Sequence, residues 1–151
     1  DQFGYSVSIS ADGNTAVVGA NFEDGAGTDR GAAYVFTRTG GVWTQQQKLT
    51  ASDAANNDNF GWSVSISADG NTSVIGAYSE NGAGLDRGVA YVYTRSGGGW
   101  TEQQKLTASD TANSDQFGYS VSISADGNTA VVGANVEDGA GTNRGAAYVY
   151  M

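Results

Sequence analysis

The stretch Tyr5-Ser6-Val7-Ser8-Ile9-Ser10-Ala11-Asp12-Gly13-Asn14-Thr15-Ala16-Val17-Val18-Gly19-Ala20 decides the fold. In its first half Tyr5, Val7 and Ile9 alternate with Ser6, Ser8 and Ser10. A period of two puts apolar side chains on one face of an extended chain and small hydroxyls on the other. Ala11-Asp12-Gly13-Asn14 then interrupts, and a second β-rich run follows from Thr15 to Ala20. Asp-Gly between two such runs is a tight-hairpin signal, because both central residues tolerate positive φ, so the two strands are expected to pair antiparallel.

Reading outward, Ala32-Ala33-Tyr34-Val35-Phe36 is apolar on both faces, as suits a central strand sandwiched between neighbouring sheets. Trp43 to Leu49 is anchored by those two residues but otherwise polar, and its Lys48 discourages edge-to-edge pairing, so it reads as an outer edge strand. This four-strand unit recurs. Phe3-Gly4, Phe60-Gly61 and Phe117-Gly118 stand 57 residues apart, as do Trp43 and Trp100, and Leu49 and Leu106. Residues 1–37 and 115–151 differ only at Phe22/Val136, Asp29/Asn143, Phe36/Tyr150 and Thr37/Met151. The fold class is therefore all-β. A four-stranded antiparallel sheet every ~40–50 residues is the blade pattern of a β-propeller, and the 57-residue repeat fits it with longer loops. A solenoid is the competing architecture, but its coils wind parallel strands, whereas the Asp-Gly hairpin turns the chain straight back. The expected units are blades at 1–57 and 58–114 and three strands of a third at 115–151.

Composition excludes several function classes. Sixteen Asp and Glu against seven Lys and Arg give a formal charge of −9, which repels nucleic acid and anionic lipid. The chain has neither Cys nor His, so thiolate or imidazole metal sites, cysteine nucleophiles and Ser-His-Asp chemistry are absent from it. No apolar run reaches the 18 or so residues of a helical membrane span, and no signal segment opens the sequence.

The span from Phe3-Gly4 through Val17-Val18-Gly19-Ala20 to Tyr34-Val35-Phe36 resembles the FG-GAP repeat of integrin α-subunit propellers, and is closer still to the bacterial variety of that repeat. All three units carry the likeness, with Asn21, Tyr78 or Asn135 where the motif has Pro. The resemblance implies a propeller with adhesive or recognition roles, extracellular or at the cell surface, binding through loops on one rim. Many repeats of that family hold calcium between their first two strands. Carried onto this sequence, the alternating ligands fall at Ser8, Ser10 and Asp12, so only one position keeps a carboxylate. A calcium ion wants 6–8 oxygens, several of them charged. Asp12, Asp69 and Asp126 are thus turn residues first and weak calcium candidates second, and no cofactor is expected.

Glu23 to Gly31, with counterparts Glu80 to Gly88 and Glu137 to Gly145, is the richest polar segment and the best ligand loop. Its candidates are Glu23, Asp24, Asp29 and Arg30, then Glu80, Asp86 and Arg87, then Glu137, Asp138 and Arg144. Each Arg has two readings: an anion site, or, with more weight, a clamp that pins its loop by forked hydrogen bonds to neighbours such as Glu23 and Asp24. Catalytic residues are not expected, because no carboxylate pair breaks the repeat symmetry as a glycosidase centre would. Trp43 and Trp100 are expected to pack between blades, and Trp62, which replaces Tyr5 and Tyr119, is the one aromatic whose exposure needs testing.

The leading function is a non-enzymatic structural or adhesive module presenting loops for protein or glycan contacts. A lectin-like glycan binder comes second and predicts exposed aromatics beside the acidic loops. An engineered propeller fragment without a natural ligand is a further alternative. Eleven strands leave blade faces and a strand edge open, which predicts self-association, either as a dimer closing a six-bladed ring or as a filament, unless the array continues in a longer chain.

Overall fold

The computed structural model describes residues 1–82, 84–138 and 141–151, and Ala83, Gly139 and Ala140 of the candidate loops lie outside them. Eleven strands form three sheets among the described residues, with no helix, and so none long and apolar enough to cross a membrane. The first sheet runs β1 (Ser6–Ile9), β2 (Thr15–Ala20), β3 (Ala32–Thr39) and β4 (Val42–Leu49), each strand hydrogen-bonded to the next. The second repeats it as β5 (Ser63–Ile66), β6 (Thr72–Ala77), β7 (Val89–Ser96) and β8 (Gly99–Leu106). The third holds β9 (Phe117–Ile123), β10 (Ala130–Ala134) and β11 (Ala146–Tyr150). All pairings within the sheets are antiparallel. These are propeller blades, stacked in order and not closed into a ring.

The first hairpin is built differently from the expectation. Only Gly13, at φ 67°, takes a positive φ, and Asp12 does not. Ser10 and Thr15 pair across a four-residue loop, with the Ser10 N–H donating to the Thr15 carbonyl at 2.9 Å. Asp12 Oδ1 accepts from Ser10 Oγ at 2.6 Å and from the Asn14 N–H at 2.9 Å, so the Asp side chain supplies the turn's hydrogen bonds.

Each blade seats the apolar face of its first strand on the blade before it. Val64 and Ile66 of β5 are buried with Val17 and Val35 of blade one, and Phe60 and Phe117 are wholly enclosed. The serine face of the first strand turns the other way, onto the following blade. Ser6 Oγ donates to the Gly61 carbonyl at 2.8 Å, and Ser63 Oγ to that of Gly118 at the same distance. Gly19 permits this approach, since a Cβ there would lie 2.0 Å from the Gly61 carbonyl oxygen, and Gly76 meets Gly118 identically. The Gly-Ala and Phe-Gly pairs of the repeat thus face one another across every joint.

Trp100 fills the second blade as expected, 3 % exposed, with its Nε1 donating to Gln46 of β4 at 3.2 Å. Trp43 does not. It is 41 % exposed, with Arg38 over its ring, because no described sheet covers that face of blade one. Phe3, Val7 and Ile9 are exposed for the same reason.

Candidate functional site

The three acidic loops leave the ends of β2, β6 and β10 and enter β3, β7 and β11, so antiparallel pairing places them on one rim. Each is wound on its own backbone. In the first, the Gly31 N–H donates to the Glu23 carbonyl at 2.9 Å and the Asp29 N–H to Asp24 Oδ1 at 3.1 Å, with Asp29 held at φ 49°. In the third, Asn143 donates to Asp138 Oδ1 at 2.7 Å. The segment joining blade one to blade two backs the first loop. Asn57, Asn59 and Phe60 donate to the carbonyls of Thr28, Asp29 and Arg30, and Ser114, Gln116 and Phe117 repeat the pattern on Leu85, Asp86 and Arg87.

The arginines do not clamp carboxylates. Arg30 Nε reaches Asn56 Oδ1 at 3.4 Å, and Arg87 Nε reaches Asn113 Oδ1 at 3.3 Å. The same Asn56 oxygen receives the Thr28 N–H at 3.3 Å, so the asparagine, a residue the sequence reading passed over, is the clamp. Glu23 is engaged elsewhere, by Lys48 at 2.6 Å, and Glu80 by Lys105 at 2.8 Å. Among the described residues no arginine forms a salt bridge. Arg144 is exposed, while Arg30 and Arg87 are partly buried.

A charged group under the second loop also escaped the sequence reading. Lys105 bridges Asp53 at 2.6 Å and Glu80, and Tyr91 donates to Asp53 at 2.7 Å. Burial works to lower the Lys105 pKa, but its bonds to Asp53 and Glu80 outweigh that and hold it above the ordinary value. Asp58, 1 % exposed, accepts the Ala55 N–H at 2.6 Å through one oxygen, and the other has no partner among the described residues. Burial pushes its carboxyl up to about 6, with Glu80 and Asp53 adding to the rise against the Ala55 bond. The group recurs in register as Asp110, Asp115, Glu137 and Tyr148, with Tyr148 donating to Asp110 at 2.7 Å, so it belongs to the repeat.

Asp12, Asp69 and Asp126 are each saturated by their own turns, with Ser10, Ser67 and Ser124 as the leading donors that lower their pKa values. That of Asp12 falls to about 2. Each turn thus offers one carboxylate, already accepting hydrogen bonds from its own turn, against the several charged oxygens that a calcium ion wants. Among the described residues no three His, Asp or Glu side chains converge on a point that suits a metal ion.

Trp62 is neither free nor fully enclosed. Its ring lies 4.6 Å from Tyr5, 4.3 Å from Tyr78 and 5.5 Å from Tyr119, joining all three blades. Tyr5 and Tyr119 remain 46 % and 38 % exposed. Because Ser6 pairs with Gly19, this cluster sits at the rim that carries the acidic loops. Pockets of about 180 and 150 Å³ lie beneath the first two loops, the second lined by Glu80, Arg87, Lys105, Thr107 and Thr111.

A family model described as FG-GAP repeat matches residues 1–36, 43–93 and 100–150. Its last two windows run from the outer strand of one blade through the first three of the next. No curated protein matches the chain.

Proposed function

The chain belongs to the FG-GAP repeat family, and from that premise we propose that it is a non-enzymatic recognition module, presenting its loop rim to protein or glycan ligands outside the cell. Repeats of this family are generally non-catalytic and typical of extracellular or surface proteins. The observation that carries the reading is the rim itself. The first two copies of the loop are fixed by backbone bonds and by Asn56 and Asn113, the described part of the third by its own Glu137 carbonyl and Asp138 side chain, and Arg30 and Arg87 turn to the asparagines and not to carboxylates. A rigid, repeated polar surface suits recognition. The buried Asp58 group recurs from blade to blade, which favours structure over catalysis at that place.

The glycan reading is favoured by one specific feature, the half-exposed aromatic cluster of Tyr5, Trp62, Tyr78 and Tyr119 beside the loops. Sugar rings stack on such faces. Binding of the fluorescent chain to cells pretreated with protease or with glycosidases separates the readings. Loss after protease supports a protein ligand, and loss after glycosidase, together with loss in Trp62→Ala, supports a glycan. Absence of saturable binding to any untreated cell type would sink the recognition reading and leave a propeller fragment without a ligand.

A further inference from the structure

The pockets under the first two loops are two copies of one cavity. Glu23, Arg30 and Thr50 line the first, and Glu80, Arg87 and Thr107, their counterparts 57 residues on, line the second. In each cavity the arginine is held by one edge only. Arg30 lies against Gly27, where any Cβ would collide with its guanidinium, and gives its Nε to Asn56; Arg87 repeats this on Gly84 and Asn113. Both terminal nitrogens of each guanidinium have no hydrogen-bond or ion-pair partner among the described residues. That free, planar edge matches the two oxygens of a carboxylate.

The same cavities hold an acceptor. Lys48 occupies Oε1 of Glu23 and Lys105 that of Glu80, at 2.6 and 2.8 Å. Oε2 of each glutamate has no hydrogen-bond partner among the described residues. In the second cavity Thr111 Oγ1 is enclosed and also unpartnered, a hydrogen bond left for a ligand to complete. Part of each wall is apolar, from Ala51 and Ala54 in the first and Val89 in the second.

Together these groups choose among anions. A phosphate dianion would set its oxygens against the Glu23 or Glu80 carboxylate and has no proton to offer it. An Asp or Glu side chain of a protein would meet the arginine but brings no hydroxyl for the glutamate. A sugar ring carrying one carboxylate uses every part: the acid on the guanidinium, a hydroxyl donated to the glutamate Oε2, and its C–H face on the apolar wall. Volumes of about 180 and 150 Å³ suit a single ring, being below the ~300–1,000 Å³ of sites for drug-sized ligands. Resting on the reading of the loop rim as a recognition surface, we infer that each cavity binds one carboxylated sugar ring of the uronic-acid type. The formal charge of −9 gives anions no general attraction, so such a ligand is held by these local contacts. Two copies on one rim suit a polysaccharide that repeats the acid along its length, because the second contact then forms at high effective concentration.

The test titrates the isotope-labelled 151-residue chain with methyl glucuronide over about 0.1–30 mM, following the Nε–H resonances of Arg30 and Arg87 by nuclear magnetic resonance. Both resonances are expected to shift and saturate. Methyl glucoside, which lacks the carboxylate, inorganic phosphate and N-acetylaspartate methylamide are each expected to bind about tenfold more weakly or less. Arg30→Lys with Arg87→Lys keeps both charges and removes the fork, and, followed at the Gly31 and Gly88 amides, is expected to weaken glucuronide binding on the order of tenfold. Should circular dichroism show that this variant has lost its fold, Thr50→Glu with Thr107→Glu takes its place: both threonines are exposed at the cavities, and the added carboxylates are expected to abolish binding. Absence of a saturable shift at either arginine overturns the inference, as does equal affinity for any of the three comparison probes or unchanged affinity in the folded variant. The outcome is separate from that of the cell-binding assay. A chain that binds cells but not glucuronide keeps its recognition surface and loses this ligand, and one that binds glucuronide but no cell keeps the ligand and loses the cell-surface role.

Discussion

Trp43 and Trp100 occupy the same place in successive blades and are flanked by nearly the same residues, yet one is 41 % exposed and the other 3 %. Replacing each by Ala therefore isolates the energetic worth of a neighbouring blade. A Trp side chain offers roughly 200–250 Å², so the difference in exposure is about 80–100 Å² of mostly apolar surface. At ~25 cal/mol/Å² that is about 2–2.5 kcal/mol. Trp100 also loses the bond from its Nε1 to Gln46 and leaves the Gln46 oxygen unpaired, worth about 1 kcal/mol more. Trp100→Ala is expected to cost about 3–5 kcal/mol, as for other large-to-small core changes, and Trp43→Ala to cost about 3 kcal/mol less than Trp100→Ala. Urea unfolding followed by far-ultraviolet circular dichroism gives both values. Equal losses of stability in the two variants would refute the reasoning, because sequence position and not the adjoining blade would then govern the cost.

Asp58→Asn tests the buried carboxyl. Its folded pKa, raised to about 6, means that Asp58 contributes fully below its unfolded value near 4 and that this stability is lost as pH rises through 6. The variant should therefore gain of order 2–3 kcal/mol over wild type at pH 7.5 and little at pH 4 in denaturant titrations, and a pH-independent difference would remove the titration from the account. Gly19→Ala should destabilise by about 1–3 kcal/mol through its clash with the Gly61 carbonyl, whereas Gly133→Ala should leave the melting temperature of the dilute chain within a degree or two. Millimolar calcium should leave the thermal midpoint unchanged relative to EDTA, because the carboxylates of Asp12, Asp69 and Asp126 are committed to their own turns; a rise of many degrees would establish a site that binds only the folded form.

The blades were legible because their signals are local. Alternation at Tyr5 to Ser10, an Asp-Gly turn and the doubly apolar run at Ala32 to Phe36 each specify a strand or its end without reference to distant residues, and the 57-residue spacing multiplies the signal. What failed depended on which surfaces another blade covers. Nothing in the residues around Trp43 distinguishes it from Trp100; only the sheet seated beside β8 does. The arginines were misread for a related reason. Glu23 and Asp24 are near Arg30 in sequence, but Lys48 comes from β4 to take Glu23, and Asn56 comes from the linker to take Arg30. Asn56 and Asn113 recur at the repeat spacing, so a search for polar residues conserved between units of this one chain would have flagged them. Asp58 recurs at the same spacing, with Asp1 and Asp115, but its raised pKa arises from burial, which spacing alone does not reveal.

The joints between blades also have a direction, because every incoming first strand lies on a surface finished by the residues before it. During synthesis the chain emerges from its N-terminus at roughly 5–20 residues per second, so a 57-residue unit appears about every 3–11 s. Blade two finds its seat on blade one already built, and blade three finds its own on blade two. We expect assembly on the ribosome to proceed outward, one blade at a time, with no need to wait for a distant partner segment. Ribosome-stalled chains of increasing length, challenged with protease, would show blade one becoming resistant once the first strands of blade two have emerged. Simultaneous protection of all three blades only after the third has emerged would rule out that order.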